Sequence, residues 1–149
     1  FALRGLTGSN HAAGNPACLD ATLDYMKQDF DGLLFVNLVD FDMVYGHRRD
    51  VAGYGRALEY FDQRLPEIQA LMGENDLLII TADHGCDPSF HGTDHTREYV
   101  PILCWQKGMT RLHPLGTRAT YADIAATVCD YFGLTERFGA ASYLKELEE

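Results

Sequence analysis

The chain has 149 residues, 46% hydrophobic and 23% charged, the balance of a soluble globular domain large enough for a core of its own. A formal net charge of −10 argues against nucleic acid or an anionic membrane as a partner, because the attraction to phosphate that dominates such binding is missing. No apolar run approaches the roughly 20 residues that span a bilayer, whereas small phosphorylated ligands stay open, since a metal and a few arginines hold them locally.

The N-terminus lacks a basic region followed by an apolar one, so no signal peptide is expected. Cys18, Cys86, Cys104 and Cys129 are widely spaced with no CxxC pair, which reads as free thiols in a reducing cytoplasm. Cys104 and Cys129 fall in apolar runs and read as small core residues. Cys86 falls beside the metal-type cluster described below, and its position alone does not make it a nucleophile.

Residues 1–14 are small, Gly-rich and aperiodic, the signature of a loop, and His11 within them reads as solvated. Asn15-Pro16 reads as an N-cap and first helical residue. The helix they open runs to about Phe30, with Leu19, Leu23 and Met26 at helical spacing. Asp31-Gly32 turns into Leu33–Val39, whose continuous apolarity predicts a strand buried on both faces, as in a parallel sheet. Residues 40–49 read as a loop.

Asp50 is placed to cap a helix to about Met72, with Tyr54, Leu58, Phe61, Leu65, Ile68 and Leu71 on one stripe. Pro66 inside it predicts a kink or break. A second strand over Asp76–Ile80, a loop over Thr81–Arg97 and a third apolar run, Val100–Trp105, follow, with Pro101 favouring an early-strand or edge position. Thr120 is placed to cap a helix over Tyr121–Phe132, with Ile124, Val128 and Tyr131 as its buried stripe and Gly133 where a C-terminal glycine belongs. A short terminal helix is expected over Ala140–Leu147. This alternation predicts an α/β fold, a mostly parallel sheet with flanking helices, in one domain over residues 1–149. Three strands leave sheet edges that need covering, which predicts self-association.

The chemistry concentrates where two apolar runs end. Leu33–Val39 leads into Asp40-Phe41-Asp42 and then His47; Leu77–Ile80 leads into Thr81-Ala82-Asp83-His84-Gly85 and on to His95. Ligands of open α/β sheets bind at the carboxyl ends of strands, so Asp42, His47, Asp83, His84 and His95 read as halves of one metal site. A mixed carboxylate and imidazole set suits Mn, Fe or Zn. An Asp after a strand also commonly caps a helix or turn, a role open to Asp40 and Asp50, while His91 stays open between the site's surroundings and solvent. The residues alone point to a metal site serving hydrolysis or phosphoryl transfer.

Asn37-Leu38-Val39-Asp40-Phe41-Asp42-Met43-Val44-Tyr45-Gly46-His47-Arg48-Arg49-Asp50, with Val51-Ala52-Gly53-Tyr54, resembles the phosphopentomutase signature. So do Thr81-Ala82-Asp83-His84-Gly85-Cys86-Asp87-Pro88 and Gly92-Thr93-Asp94-His95-Thr96-Arg97-Glu98. The Thr-Ala-Asp-His-Gly core is shared across the alkaline phosphatase superfamily, whereas the Tyr-Gly-His-Arg-Arg-Asp and Thr-Asp-His-Thr-Arg-Glu pieces point to phosphopentomutases. The resemblance covers roughly residues 30–135.

It implies part of an alkaline-phosphatase-like three-layer core and an isomerase that interconverts (deoxy)ribose 1-phosphate and (deoxy)ribose 5-phosphate. It further implies two divalent metal ions, usually Mn2+, a phosphorylated threonine and a sugar bisphosphate activator. Asp42, His47 and His95 would hold one metal, Asp83 and His84 the other. Two metals about 3.5–4 Å apart clamp both oxygens of an in-line phosphoryl displacement. Asp94 is placed to orient His95. Arg48, Arg49 and Arg97 are candidates for a phosphate, or for salt bridges that tie the loops down.

The family's threonine nucleophile, a further metal-binding aspartate and the cap domain match nothing here. The expectation is therefore the C-terminal part of a phosphopentomutase core, inactive alone. The competing readings are another metalloenzyme of the superfamily, such as a cofactor-independent phosphoglycerate mutase or a phosphatase, and a non-catalytic metal-binding module.

Overall fold

The structure, a computed structural model, describes residues 4–147, so the first three residues of the expected 1–14 loop lie outside the described residues. It is an α/β fold of two compact units: the chain up to Asp76 with Thr81–Pro101, and Leu77–Ile80 with the chain from Ile102 on.

The first unit is built on two helices. Helix α1 covers Gly14–Met26 and α2 covers Val51–Leu71. α1 buries Leu19 and Leu23, as their spacing predicts. It starts one residue before the expected cap and stops short of Phe30, which is 49% exposed. Asn15 is therefore inside the helix, and its side chain accepts from Asp40 N (3.1 Å) while Asp40 Oδ2 accepts from Asn15 N (2.7 Å). Asp40 thus satisfies an orphan N–H of the first turn from 25 residues away. Asp50 caps α2 through its own carboxylate, accepting from Gly53 N at 2.8 Å. α1 and α2 are linked through Arg64, which donates to Asp20 (2.9 Å), Tyr60 (2.8 Å) and Glu67 (2.7 Å). Pro66 is accommodated without a break in α2. Ile68 and Met72 are buried, but Leu58 is 50% exposed, so only part of the predicted stripe is covered.

Two sequence expectations change here. Leu33–Val39 forms no strand, and Leu33 and Phe35 are 64% and 67% exposed. A strand exists only where a neighbour supplies N–H and C=O groups to its ladder, and the sheet of the described residues has two strands, β1 (Leu77–Thr81) and β2 (Ile102–Gln106). These pair antiparallel, in place of the parallel pairing expected. Residues 40–49 are also not an irregular loop: Phe41–Gly46 form a π-helical turn.

The second unit carries β2 and helix α3, Ala122–Tyr131. Its N-cap position is Tyr121 and not the expected Thr120, whose Oγ1 accepts from Ala122 N at 3.2 Å from one residue further out. Gly133 has φ +67°, and the bonds Leu134 N→Cys129 O (2.8 Å) and Gly133 N→Asp130 O (3.0 Å) close a Schellman turn. The buried face is not the expected one: it consists of Asp123, Ala126 and Thr127, with Ile124, Val128 and Tyr131 half-buried. The C-terminal segment covers it through polar contacts. Tyr143 N donates to Thr127 Oγ1 (3.0 Å), Ala141 N to Asp123 (3.1 Å) and Ser142 Oγ to Asp130 (2.8 Å). The terminal helix is a single 3-10 turn, Leu144–Leu147.

Tyr143 is fully buried. Burial first, then the neighbouring Cys104, pushes its phenol well above the ordinary 10.0. Its hydroxyl meets no partner at full hydrogen-bond geometry. The unfolded chain ionises this group first as pH rises, so the stability it contributes is complete below about pH 10 and falls above it. Tyr143→Phe is expected to flatten that alkaline loss and to leave stability at pH 7 within about 1 kcal/mol. Urea midpoints at pH 7 and pH 11 check this, and an unchanged alkaline slope would refute it.

Candidate metal centre

The π-helical turn explains why Asp42 and His47 meet. At 3.6 residues per turn, side chains five apart on an α-helix point roughly 140° from each other. Here His47 N donates to Asp42 O (2.9 Å) and Asp50 N to Tyr45 O (3.0 Å), both i→i+5 bonds that widen the helix by one residue per turn. His47 Nε2 then lies 3.3 Å from Asp42 Oδ1. The turn closes tightly on Gly46, where a Cβ would come within 2.9 Å of Phe41 O and 2.6 Å of Cys86 Sγ. Phe41 packs against Tyr54 of α2 with ring centroids 5.5 Å apart, fixing the turn on the helix.

His95 arrives from the loop after β1. An antiparallel bridge between Gly85 and Thr96 closes that loop, and Asp87 N donates to Thr96 Oγ1 at 2.6 Å. His95 Nε2 lies 3.4 Å from the same Asp42 Oδ1. Asp42, His47 and His95 thus bring one donor atom each to within 4.8 Å of one another. His84 joins by stacking on His95, with centroids 3.7 Å apart. Asp83 is not in this trio: its side chain is 82% exposed, and its carboxylate lies 3.6 Å from His84 Nε2.

These residues fit a cation. Asp42 Oδ1 is buried and has no hydrogen-bond partner. His47 Nδ1 donates to the Thr93 carbonyl, which leaves Nε2 directed at that oxygen. A carboxylate oxygen and two imidazole nitrogens thus face one another, the donor arrangement of a divalent-ion site. The nitrogen and oxygen donor set suits Mn, Fe or Zn.

Cys86 lies beside Asp42. Burial, and then the neighbouring Asp42 carboxylate, pushes its thiol above its ordinary value, which favours the thiol over the thiolate. Burial likewise raises the Tyr54 phenol, with Cys86, Asp42 and Glu98 nearby. The supporting roles of Tyr54 and the Thr93 carbonyl carry no sequence signal of their own.

The arginines divide. Arg48 and Arg97 are exposed. Arg49 is half-buried and donates to three backbone carbonyls of the His95 loop: Gly92 (2.5 Å), Asp87 (2.7 Å) and Asp94 (2.6 Å). Asp94 enters the cluster through that carbonyl. His91 is exposed, with its ring against Phe90.

Comparison with known proteins places the chain in a family. Residues 5–136 match the family model described as the Metalloenzyme superfamily. The chain is 55% identical over 144 residues to a phosphopentomutase of Acetivibrio thermocellus, covering 97% of this chain and 37% of that protein. It is 53% identical over 147 residues to one of Caldanaerobacter subterraneus subsp. tengcongensis, covering 99% and 37%. It is 56% identical over 135 residues to one of Shewanella loihica, covering 90% and 33%. The chain therefore spans little more than a third of the length of these curated relatives. With the family match running through both metal-type loops, the chain belongs to the Metalloenzyme superfamily.

Proposed function

We propose that this chain supplies the metal-binding part of a phosphopentomutase, an isomerase that moves a phosphoryl group between the 1- and 5-positions of ribose or deoxyribose. The observation that carries the reading is the convergence of Asp42 Oδ1, His47 Nε2 and His95 Nε2 around an oxygen with no other partner. Its supports are the phosphopentomutase relatives and the presence of the whole donor set within the matched residues.

In this reading Asp42, His47 and His95 hold one divalent ion, Mn2+ by preference, and Asp83 and His84 contribute to a second. Bound metal supplies charge neutralisation and alignment for the oxygens of the transferred phosphoryl group. Thr93 orients His47, and the exposed Arg48 and Arg97 offer guanidinium groups to a phosphate. A sugar bisphosphate activator and a reducing cytoplasmic setting belong to the same proposal. The substrate is a pentose phosphate, with no nucleic-acid or membrane partner. Among the described residues no helix is long and apolar enough to cross a membrane. Self-association through an exposed sheet edge is also part of the proposal.

Calorimetric titration of this chain with Mn(II), beside a His95→Ala variant, tests it. One saturable site in the unaltered chain, weakened about a hundredfold or lost in the variant, is the expected result. Equal binding by both chains would remove His95 from the site, and no binding by either would defeat the reading.

A further inference from the structure

The structure assigns Arg49 a positioning role: its guanidinium is the clamp that shapes the Asp87–Asp94 loop so that His95 reaches Asp42. This inference rests on the metal-site reading above and names a residue on which that site depends. Residues 47–49 and the loop meet through four of the loop's backbone carbonyls. Arg49 Nε, Nη1 and Nη2 take those of Gly92, Asp87 and Asp94, and His47 Nδ1 takes that of Thr93. The Gly85–Thr96 bridge closes the loop at its base, while residues 89–95 beyond it are exposed. His95 directly follows the clamped Asp94, so its ring direction is set by the peptide that Arg49 holds.

Two further features fit this role. Arg49 adopts φ +56°, a left-handed conformation that a bulky residue takes only when its surroundings hold it there. The bonds use the fork of the guanidinium, with three nitrogens reaching three separate carbonyls, and a lysine ammonium cannot reproduce that spread. With these donors engaged, Arg49 is a poor hand for a substrate phosphate, which separates it from the exposed Arg48 and Arg97.

The test is Arg49→Lys in the full chain, which keeps the charge and removes the fork. Amide hydrogen exchange and Mn(II) calorimetry are measured for it, for the unaltered chain and for His95→Ala. Amides of Asp87–Asp94 are expected to exchange about tenfold faster or more while those of α2 keep their protection, and Mn(II) affinity is expected to fall roughly tenfold. Unchanged exchange in the loop would overturn the clamp, as would equal loosening of α2, which would make Arg49 a general stabiliser. Loosened exchange with unchanged Mn(II) affinity would also overturn it, since the loop would then not govern His95. If the unaltered chain binds no Mn(II), the metal-site reading fails and the exchange comparison alone decides whether the clamp exists.

Discussion

Asp42→Asn is expected to abolish stabilisation by Mn(II) while leaving the metal-free chain at least as stable as before. Both halves follow from one oxygen. Asp42 Oδ1 is buried, unpartnered, and faced by His47 Nε2 at 3.3 Å and His95 Nε2 at 3.4 Å. With a divalent ion at about a hundred times its dissociation constant, the folded state gains about 2.7 kcal/mol, a shift of several degrees in the thermal midpoint. An amide cannot supply the anionic oxygen, so that shift disappears. Without metal, the amide can place its NH2 group before the imidazole lone pairs and relieve the convergence of acceptors. Thermal midpoints of both chains with and without Mn(II) measure this directly. A Mn(II) shift that survives in the variant would remove Asp42 from the site. A metal-free variant that melts lower would mean that the imidazoles are charged partners of the carboxylate.

Gly85→Ala is expected to lower stability by about 2–3 kcal/mol, at the upper end of the cost of overpacking. A Cβ at this position would meet Glu98 Oε2 at 1.9 Å, Thr96 O at 2.6 Å and Glu98 N at 3.0 Å. The Glu98 carboxylate can swing aside, but the other two atoms are backbone. They move only if the bridge carrying Thr96 N→Gly85 O (3.1 Å) opens. Because that bridge closes the loop bearing His95, Mn(II) affinity should fall along with the urea midpoint. A midpoint shift at unchanged m-value would show lost stability without a change in the surface exposed on unfolding. An unchanged midpoint would mean that the strands part at Gly85 at no cost.

Candidate ligands were readable in the sequence, because Asp42, His47, Asp83, His84 and His95 follow the ends of apolar runs. Run boundaries and spacing marked those five together, and the grouping of Asp42, His47 and His95 apart from the other two was implied only by the resemblance to phosphopentomutases. The Arg49 clamp was not readable in the same way. Its acceptors are backbone carbonyls, which every residue has, so nothing in the composition of the loop marks them. The face of α3 was misplaced for a related reason. Hydrophobic periodicity picked Ile124, Val128 and Tyr131, while the C-terminal segment covers the helix through the polar groups of Asp123, Thr127 and Asp130. The Leu33–Val39 strand failed for another reason. Apolarity shows that a segment seeks cover, whereas a strand also requires a neighbour in register, and the described residues supply none.

The widened turn between Asp42 and His47 makes this segment sensitive to arithmetic more than to chemistry. Met43 and Val44 stand 62% and 43% exposed, so their side chains are open to replacement. Their number is constrained in one direction. Dropping one residue would return the backbone to ordinary helical winding, in which positions four apart still share a face, whereas adding one would carry the imidazole a further position round the axis from its carboxylate. The segment therefore behaves like a ruler that can be shortened but not lengthened, with Met43 and Val44 as its replaceable marks and Gly46 as a fixed one.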